Sequence, residues 1–164
     1  MSSSLGTFPH QQHFRQVLGQ LPTGVVIVAG GDSAAPSGLV VGSFMSVSLE
    51  PPLVAVCPAR TSTSWPAIER SGRFCANVLA RGQERLAQRF AASGGDKFAD
   101  VSWRPAPATG SPLLDGVAAW IDCRVHKQDE AGDHWLILGE VLELAVNEDS
   151  GALIFHGGAF HNLV

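Results

Sequence analysis

Four consecutive hydroxyl residues and an arginine, Arg60-Thr61-Ser62-Thr63-Ser64, stand between a strand-like run and a helix start. Free backbone N–H groups, hydroxyl donors and a cation in one place favour a phosphate. The alternative is an ordinary helix cap with a solvated Ser/Thr run. A second polar cluster, Ser43, Ser46 and Ser48, interrupts an otherwise apolar strand. A buried hydroxyl without a partner costs roughly 1–3 kcal/mol, so these serines either bond neighbouring backbone or face a polar ligand. The third cluster is a histidine pair. A turn centred near Ala131 sets His126 and His134 almost opposite each other at a hairpin tip. Two imidazoles there would address an anionic or amide-bearing ligand, or titrate together; solvent-exposed turn histidines are the plain alternative. Glu140 falls on the apolar row between Leu138 and Leu142, where a carboxylate pairs with a base such as Arg124.

The chemistry that is missing narrows the choice. No GxGxxG follows the first strand, and no P-loop, HExxH or GxSxG pattern occurs. His10 and His13 have no matching second ligand pair, so no metal site is expected. Cys57, Cys75 and Cys123 are an odd count without CxxC spacing, each in an apolar run that suits a small buried hydrophobe. The expectation is a reduced, cytoplasmic protein.

These groups need a scaffold, and 164 residues suit one domain with a sizeable core. Hydrophobic residues at 45% and charged ones at 16% are too apolar a mix for disorder. The 18 glycines and 10 prolines exceed the usual share of roughly 12% and favour a turn-rich β protein. A formal charge of −4 offers no basic field for nucleic acid. The charge-free runs Gln16–Gly31 and Ser33–Leu49 contain Gly and Pro and fall short of the roughly 20 apolar residues of a membrane span. Met1–Gly6 lacks the basic start and apolar core of a signal peptide.

Phe14, Val17, Leu18 and Leu21 share one face of a first helix that Pro22 ends. Gly24–Ala29 reads as a buried strand, Gly30–Gly38 as a loop, Gly38–Leu49 as a second strand and Leu53–Cys57 as a third. Ser64 starts a helix with Pro66 in its first turn. Arg73–Leu79 is a strand, Gln83–Ala92 a short helix, and Ser93–Pro112 a long loop. Val117–Lys127 and Trp135–Val146 form a long hairpin around Asp129–Asp133, and Ala152–His156 is a last strand before a Gly-Gly tail. About six strands, with β neighbours adjacent in sequence, imply an antiparallel barrel rather than a parallel nucleotide-binding sheet.

Pro22-Thr23-Gly24-Val25, followed by the run Gly38 to Val54 with its Ser46-Val47-Ser48-Leu49-Glu50-Pro51-Pro52, resembles the opening of the short-chain flavin reductases. The resemblance continues through Asn77-Val78-Leu79, Gln83, Phe90-Ala91, Asp96-Lys97-Phe98, Gly110-Ser111-Pro112-Leu113-Leu114 and Cys123-Arg124-Val125-His126. It ends with Gly132-Asp133-His134 and Leu138-Gly139-Glu140-Val141. It spans residues 12–164 as a single domain and leaves 1–11 as a flexible lead. The fold it implies is a mainly β, FMN-binding split barrel with a few short flanking helices.

The resemblance further implies a homodimer, with FMN or FAD held against the second strand. Val41, Gly42, Ser43, Met45, Ser46, Val47 and Ser48 would line the ring and ribityl chain. Cys57, Ala59, Ser62, Thr63 and Ser64 would carry the ribityl and phosphate end, with Lys97 and Phe98 approaching the flavin. The family's Gly-Asp-His turn is associated with nicotinamide dinucleotides, NADH or NADPH, which maps to Asp133 and His134, with His126 close by. Phe160 belongs to a tail that closes over the cofactors. The implied activity is an NAD(P)H:flavin oxidoreductase that passes hydride to flavin N5 and supplies reduced flavin to a partner monooxygenase, with no acid–base dyad required. The alternatives are an FMN-retaining reductase of another bound acceptor, such as a cobalt corrinoid, and a non-catalytic flavin-binding module. Two departures stand out. Val40 and Gly42 replace small hydroxyl residues, so that contact to the ring is absent or comes from Ser43. Phe160 stands where the family has Tyr, keeping the stacking surface without its hydroxyl.

Overall fold

Val25–Ala29 is apolar without alternation because the strand it forms is covered on both faces, with Val26 and Val28 on one side and Ile27 and Ala29 on the other. The structure, a computed structural model, describes residues 10–163. Its elements are α1 (Gln11–Leu18), β1 (Thr23–Gly24), β2 (Val26–Asp32), β3 (Ala35–Val41), β4 (Met45–Leu49), β5 (Pro52–Val56), α2 (Trp65–Ser71) and β6 (Arg73–Val78). There follow α3 (Glu84–Ala91), β7 (Trp103–Pro105), β8 (Pro112–Leu114), β9 (Ala119–Ala131), β10 (His134–Val146), β11 (Leu153–His156) and β12 (Ala159–Asn162). The main sheet is antiparallel and runs β3-β2-β6-β9-β10-β5-β4; β1-β11-β12 and β7-β8 form smaller sheets. This is the expected mainly β split barrel.

One core lies under α2, where Trp65 and Ile68 meet Val28, Val56, Phe74 and Ile137. The other lies under α3, where Ala87 and Phe90 meet Ile27, Cys75, Leu79 and Leu113. Buried Asn77 ties the second core together. Its amide donates to the carbonyls of Ile27, Cys75 and Pro112 at 3.2, 3.2 and 3.1 Å, and its Oδ1 accepts from Leu114 N at 2.8 Å. Cys75 and Cys123 are fully buried as expected; burial, then the nearby Asp122, pushes the Cys123 thiol up to about 12. Arg124 and Glu140 pair at 2.6 Å, also as expected.

Four expectations about elements need correction. Gly30–Gly38 is a hairpin rather than a loop: only Ser33–Ala34 turn, and Asp32 Oδ1 accepts from Ala34 N at 2.9 Å. Pro36 is tolerated inside β3 because β3 is an edge strand. Gly38–Leu49 is two strands, broken at residues 42–44, where the Ser43 hydroxyl bonds the Cys57 backbone. Ser93–Pro112 contains β7 and the start of β8, organised from below by buried Asp122, which accepts from the Ala108 and Thr109 amides at 2.8 and 3.0 Å and from the Thr109 hydroxyl. The tail turns at Gly157–Gly158 to form β12 against β11. Twelve strands among the described residues, many very short, replace the expected six. Of the 1–11 lead, residues 1–9 lie outside the described residues, and Gln11 already begins α1. No helix among the described residues is long and apolar enough to cross a membrane.

Candidate functional site

β3 is one of the two edges of the main sheet, and three cavities lie along it. In an antiparallel strand, a residue's N–H and C=O point to the same side, and the side alternates along the chain. Gly38 O faces outward, since it accepts from Lys97 Nζ at 3.3 Å. By the two-residue period, Val40 presents its backbone groups outward as well, and Gly42 follows where the strand ends.

At the N-terminal end of β3, a cavity of about 230 Å³ is lined by Ser37, Gly38, Thr63, Ser64, Lys97 and Phe98, among others. Ser64 precedes α2 but does not cap it with its side chain. Ser62 does that work, its Oγ accepting from Ser64 N at 3.2 Å and Trp65 N at 3.1 Å. Ser64 Oγ instead accepts from Lys97 Nζ at 3.2 Å, and Phe90 O accepts a third bond from the same ammonium at 3.1 Å. All three Lys97 donors are therefore committed to the protein, and among the described residues it forms no ion pair with a carboxylate. Partial burial holds its proton affinity below the usual lysine range. Asp96 lines the same cavity, its Oδ1 accepting from Phe98 N at 3.0 Å, so this end of the groove holds one ammonium and one carboxylate.

The middle cavity, about 370 Å³, runs between Leu39–Ser43 and Cys57–Ala59, with Ser62 and His134 on its wall. Ser43 Oγ accepts from Cys57 N at 3.0 Å, so this hydroxyl braces the split of the barrel. The third cavity, about 220 Å³, is apolar and lies between Val25, Val40, Ala87, Ala91, Phe155 and Phe160. The two phenylalanine rings meet edge to face at 5.3 Å. Gly42 sits where these two cavities meet, and a Cβ there would stand 2.8 Å from Thr23 Oγ1. Thr23 therefore leaves little room for a side chain at position 42.

His134 is delivered by the tip of the β9–β10 hairpin. Gly132 and Asp133 make a two-residue turn, with Gly132 at φ +66, a conformation that favours glycine. The tip is stitched to the end of β5: Arg60 N donates to Asp133 O and Trp135 N to Pro58 O, each at 2.9 Å, and Ala59 bridges His134. Asp133 Oδ1 lies 2.7 Å from His134 Nδ1, which leaves Nε2 for a ligand. That hydrogen bond, and next the charge of His134, hold the exposed Asp133 carboxyl below the usual carboxylate range.

The groove thus brings together Val41, Gly42, Ser43, Cys57, Ala59, Ser62, Thr63, Ser64, Lys97, Phe98, His134 and Phe160, with Asp133 behind His134. Met45, Ser46, Val47 and Ser48 line none of the three cavities; they lie on the opposite edge strand, paired with β5. His126 is not beside His134. The cross-strand partner of His134 is Ala131, five residues away or roughly 16 Å along the strand. His126 falls in the irregularity facing Leu138 and Gly139 and is exposed. The turn centres on Gly132–Asp133, and that shift separates the histidines. Arg60 turns toward the hairpin rather than the hydroxyl run. Sequence reasoning overlooked Ser37, Ala87 and Ala91 as lining residues. The four-residue spacing of Ala87 and Ala91 marks a thin helix face and was the available signal.

A family model described as the flavin reductase like domain matches residues 18–164. A flavin reductase of Pseudomonas putida is 51% identical over 150 residues, covering 91% of this chain and 88% of that protein. HsaB of Rhodococcus jostii, the reductase subunit of a flavin-dependent monooxygenase, is 46% identical over 149 residues, covering 91% of this chain and 76% of that protein. Among solved structures, the NADH:FAD oxidoreductase of Streptomyces globisporus in complex with NAD and FAD fragments matches with a TM-score of 0.88. It is 34% identical and covers 99% of this chain and 98% of that chain.

Proposed function

The chain belongs to the flavin reductase like domain family, and from that premise we propose an NADH-dependent flavin reductase that supplies reduced FMN or FAD to a separate monooxygenase. The observation that carries the reading is the order of polarity along β3: a cation and hydroxyls, then outward backbone groups, then an apolar pocket. A flavin has the same order from phosphate through ribityl chain and pyrimidine edge to dimethylbenzene ring. The seven residues of β3 extend for roughly 23 Å, enough for a mononucleotide laid along them.

Lys97 and Thr63 hold the phosphate end, Lys97 by charge alone. The backbone of Val40 and Gly42 reads the polar edge of the ring. Val25, Ala87, Ala91 and Phe160 enclose its apolar end and exclude water. When bound, the flavin supplies the two-electron chemistry, accepting hydride from the dinucleotide. His134 orients the dinucleotide from the hairpin side, with Asp133 holding the Nδ1 proton so that Nε2 faces the ligand. Both ligands are thereby held against one rigid edge, which is the protein's part in the rate.

The working unit is a homodimer. α1 buries none of its residues, and Val17, Leu18 and Leu21 leave an apolar face exposed. Leu144 and Val146 at the end of β10, and Leu49 on β4 at 96% exposure, add further apolar surface. A second copy covers these faces. The residues from 12 onward act as one domain, in the cytoplasm, where the free thiols stay reduced.

The test is anaerobic mixing of the protein with NADH and a molar excess of FMN, followed at the flavin absorbance. Bleaching of many flavins per protein is expected; none, with NADH left intact, would overturn the reading.

A further inference from the structure

Among the described residues, Arg60 forms no hydrogen bond or ion pair with the hydroxyl run that follows it in sequence. Its side-chain hydrogen bond, ion pair and ring contact fall on the hairpin tip that carries His134. The guanidinium lies 4.9 Å from the centre of the Trp135 ring, Nη2 is 3.6 Å from Glu130 Oε1, and Nη1 donates to Gly132 O at 3.5 Å. Its backbone N–H donates to Asp133 O at 2.9 Å. One residue therefore touches positions 130, 132, 133 and 135, on both sides of His134. Each contact is weak alone: the ion pair is exposed and the stacking is worth little at a surface. Together they add side-chain contacts to the backbone bonds, Arg60 N to Asp133 O, Trp135 N to Pro58 O and the Ala59–His134 bridge, that hold the two-residue turn against the segment after β5. The charged groups around the tip are Arg60, Glu130, Asp133 and His134, with Arg15 near Asp133 and Lys127 paired to Asp129 at 2.9 Å.

We propose that Arg60 is a positioning residue for the reaction: it latches the hairpin tip so that His134 stands over the middle cavity. This rests on the reading of His134 as the dinucleotide's contact. Arg60 acts through His134 and does not itself grip the dinucleotide or the flavin phosphate.

A double-mutant cycle in the intact protein tests this, with steady-state NADH KM, kcat and FMN affinity measured for Arg60→Ala, His134→Ala, the double variant and Glu130→Ala. Arg60→Ala should raise the NADH KM about tenfold, with FMN affinity within about twofold of wild type. In the His134→Ala background, Arg60→Ala should add little further. Glu130→Ala should raise the NADH KM modestly, since it removes one contact of the latch. Additive effects of Arg60→Ala and His134→Ala, or a lower KM in Glu130→Ala, would mean that Arg60 binds the dinucleotide directly and would overturn the proposal. Weakened FMN binding with unchanged NADH KM would overturn it in favour of a phosphate contact. If His134→Ala itself leaves the NADH KM unchanged, the role given to His134 fails first. If only Arg60→Ala is silent, the latch alone is refuted.

Discussion

Replacing Lys97 by Met removes the one ammonium at the head of the groove while keeping the length of the side chain. Two consequences separate cleanly. The first is structural: Gly38 O, Ser64 Oγ and Phe90 O each lose a donor, at 3.3, 3.2 and 3.1 Å. That loosens the joint between β3, α2 and α3 and weakens every flavin, whatever its tail. The second is electrostatic and specific to phosphate. With its three protons committed, Lys97 acts on a phosphate as a point charge. A unit charge about 6–8 Å away at an effective dielectric near 40 is worth about 1–1.4 kcal/mol. A phosphate carries more than one charge and salt screens part of the effect, so about 1–2 kcal/mol is expected, or about 5–30-fold in affinity. The assay is flavin binding by fluorescence quenching, with FMN and riboflavin titrated into wild type and Lys97→Met at two salt concentrations. FMN should lose about 5–30-fold more than riboflavin, and the salt dependence of FMN binding should shrink. Equal losses for both ligands would show that Lys97 is a strut only, and that the phosphate lies elsewhere.

Three further outcomes follow from the geometry. Asp122→Ala strands the Ala108 and Thr109 amides and the Thr109 hydroxyl, and should cost about 3 kcal/mol or more in urea unfolding. Asp133→Asn should raise the NADH dissociation constant at neutral pH. Because the folded carboxyl titrates below its usual range, the difference from wild type should persist down to about pH 4 and vanish only as pH falls through that lowered value; a difference that grows toward acid pH would contradict the pairing. Val17→Glu combined with Leu21→Glu places charges on the exposed apolar surface of α1 and the turn after it, and should shift the protein from dimer to monomer in sedimentation equilibrium. A wild type that is already monomeric would refute the dimer.

The elements legible in the sequence were those with internal patterns. The apolar run of β2 and the helix starting after Ser64 announce themselves through neighbours a few residues apart, and the Arg124–Glu140 pair, 16 residues apart, through the alternation that sets Glu140 on the apolar row. The β7–β8 ribbon did not, because three-residue strands flanked by proline show no alternation. What holds that ribbon is the carboxylate of Asp122, a contact across more than ten residues. The site divides in the same way. The hydroxyls Ser62, Thr63 and Ser64 were readable as a cluster, but with Arg60 as its cation; Lys97 and the Gly132-Asp133-His134 turn came from the family resemblance, not from local pattern. The displacement of His126 depended on a turn centre one to two residues further along, and in a strand such a shift moves every cross-strand neighbour. The direction of Arg60 was equally hidden: its position beside four hydroxyls suggested one partner, and the folded hairpin offers another.

The central claim is that the groove along β3 turns over flavin at the expense of NADH. Steady-state oxidation of NADH by the purified protein, measured with and without added FMN or FAD, tests it most directly. The account predicts a rate that rises with added flavin to saturation and far exceeds one turnover per protein. A rate that ignores added flavin, or no oxidation with flavin bound, would contradict it.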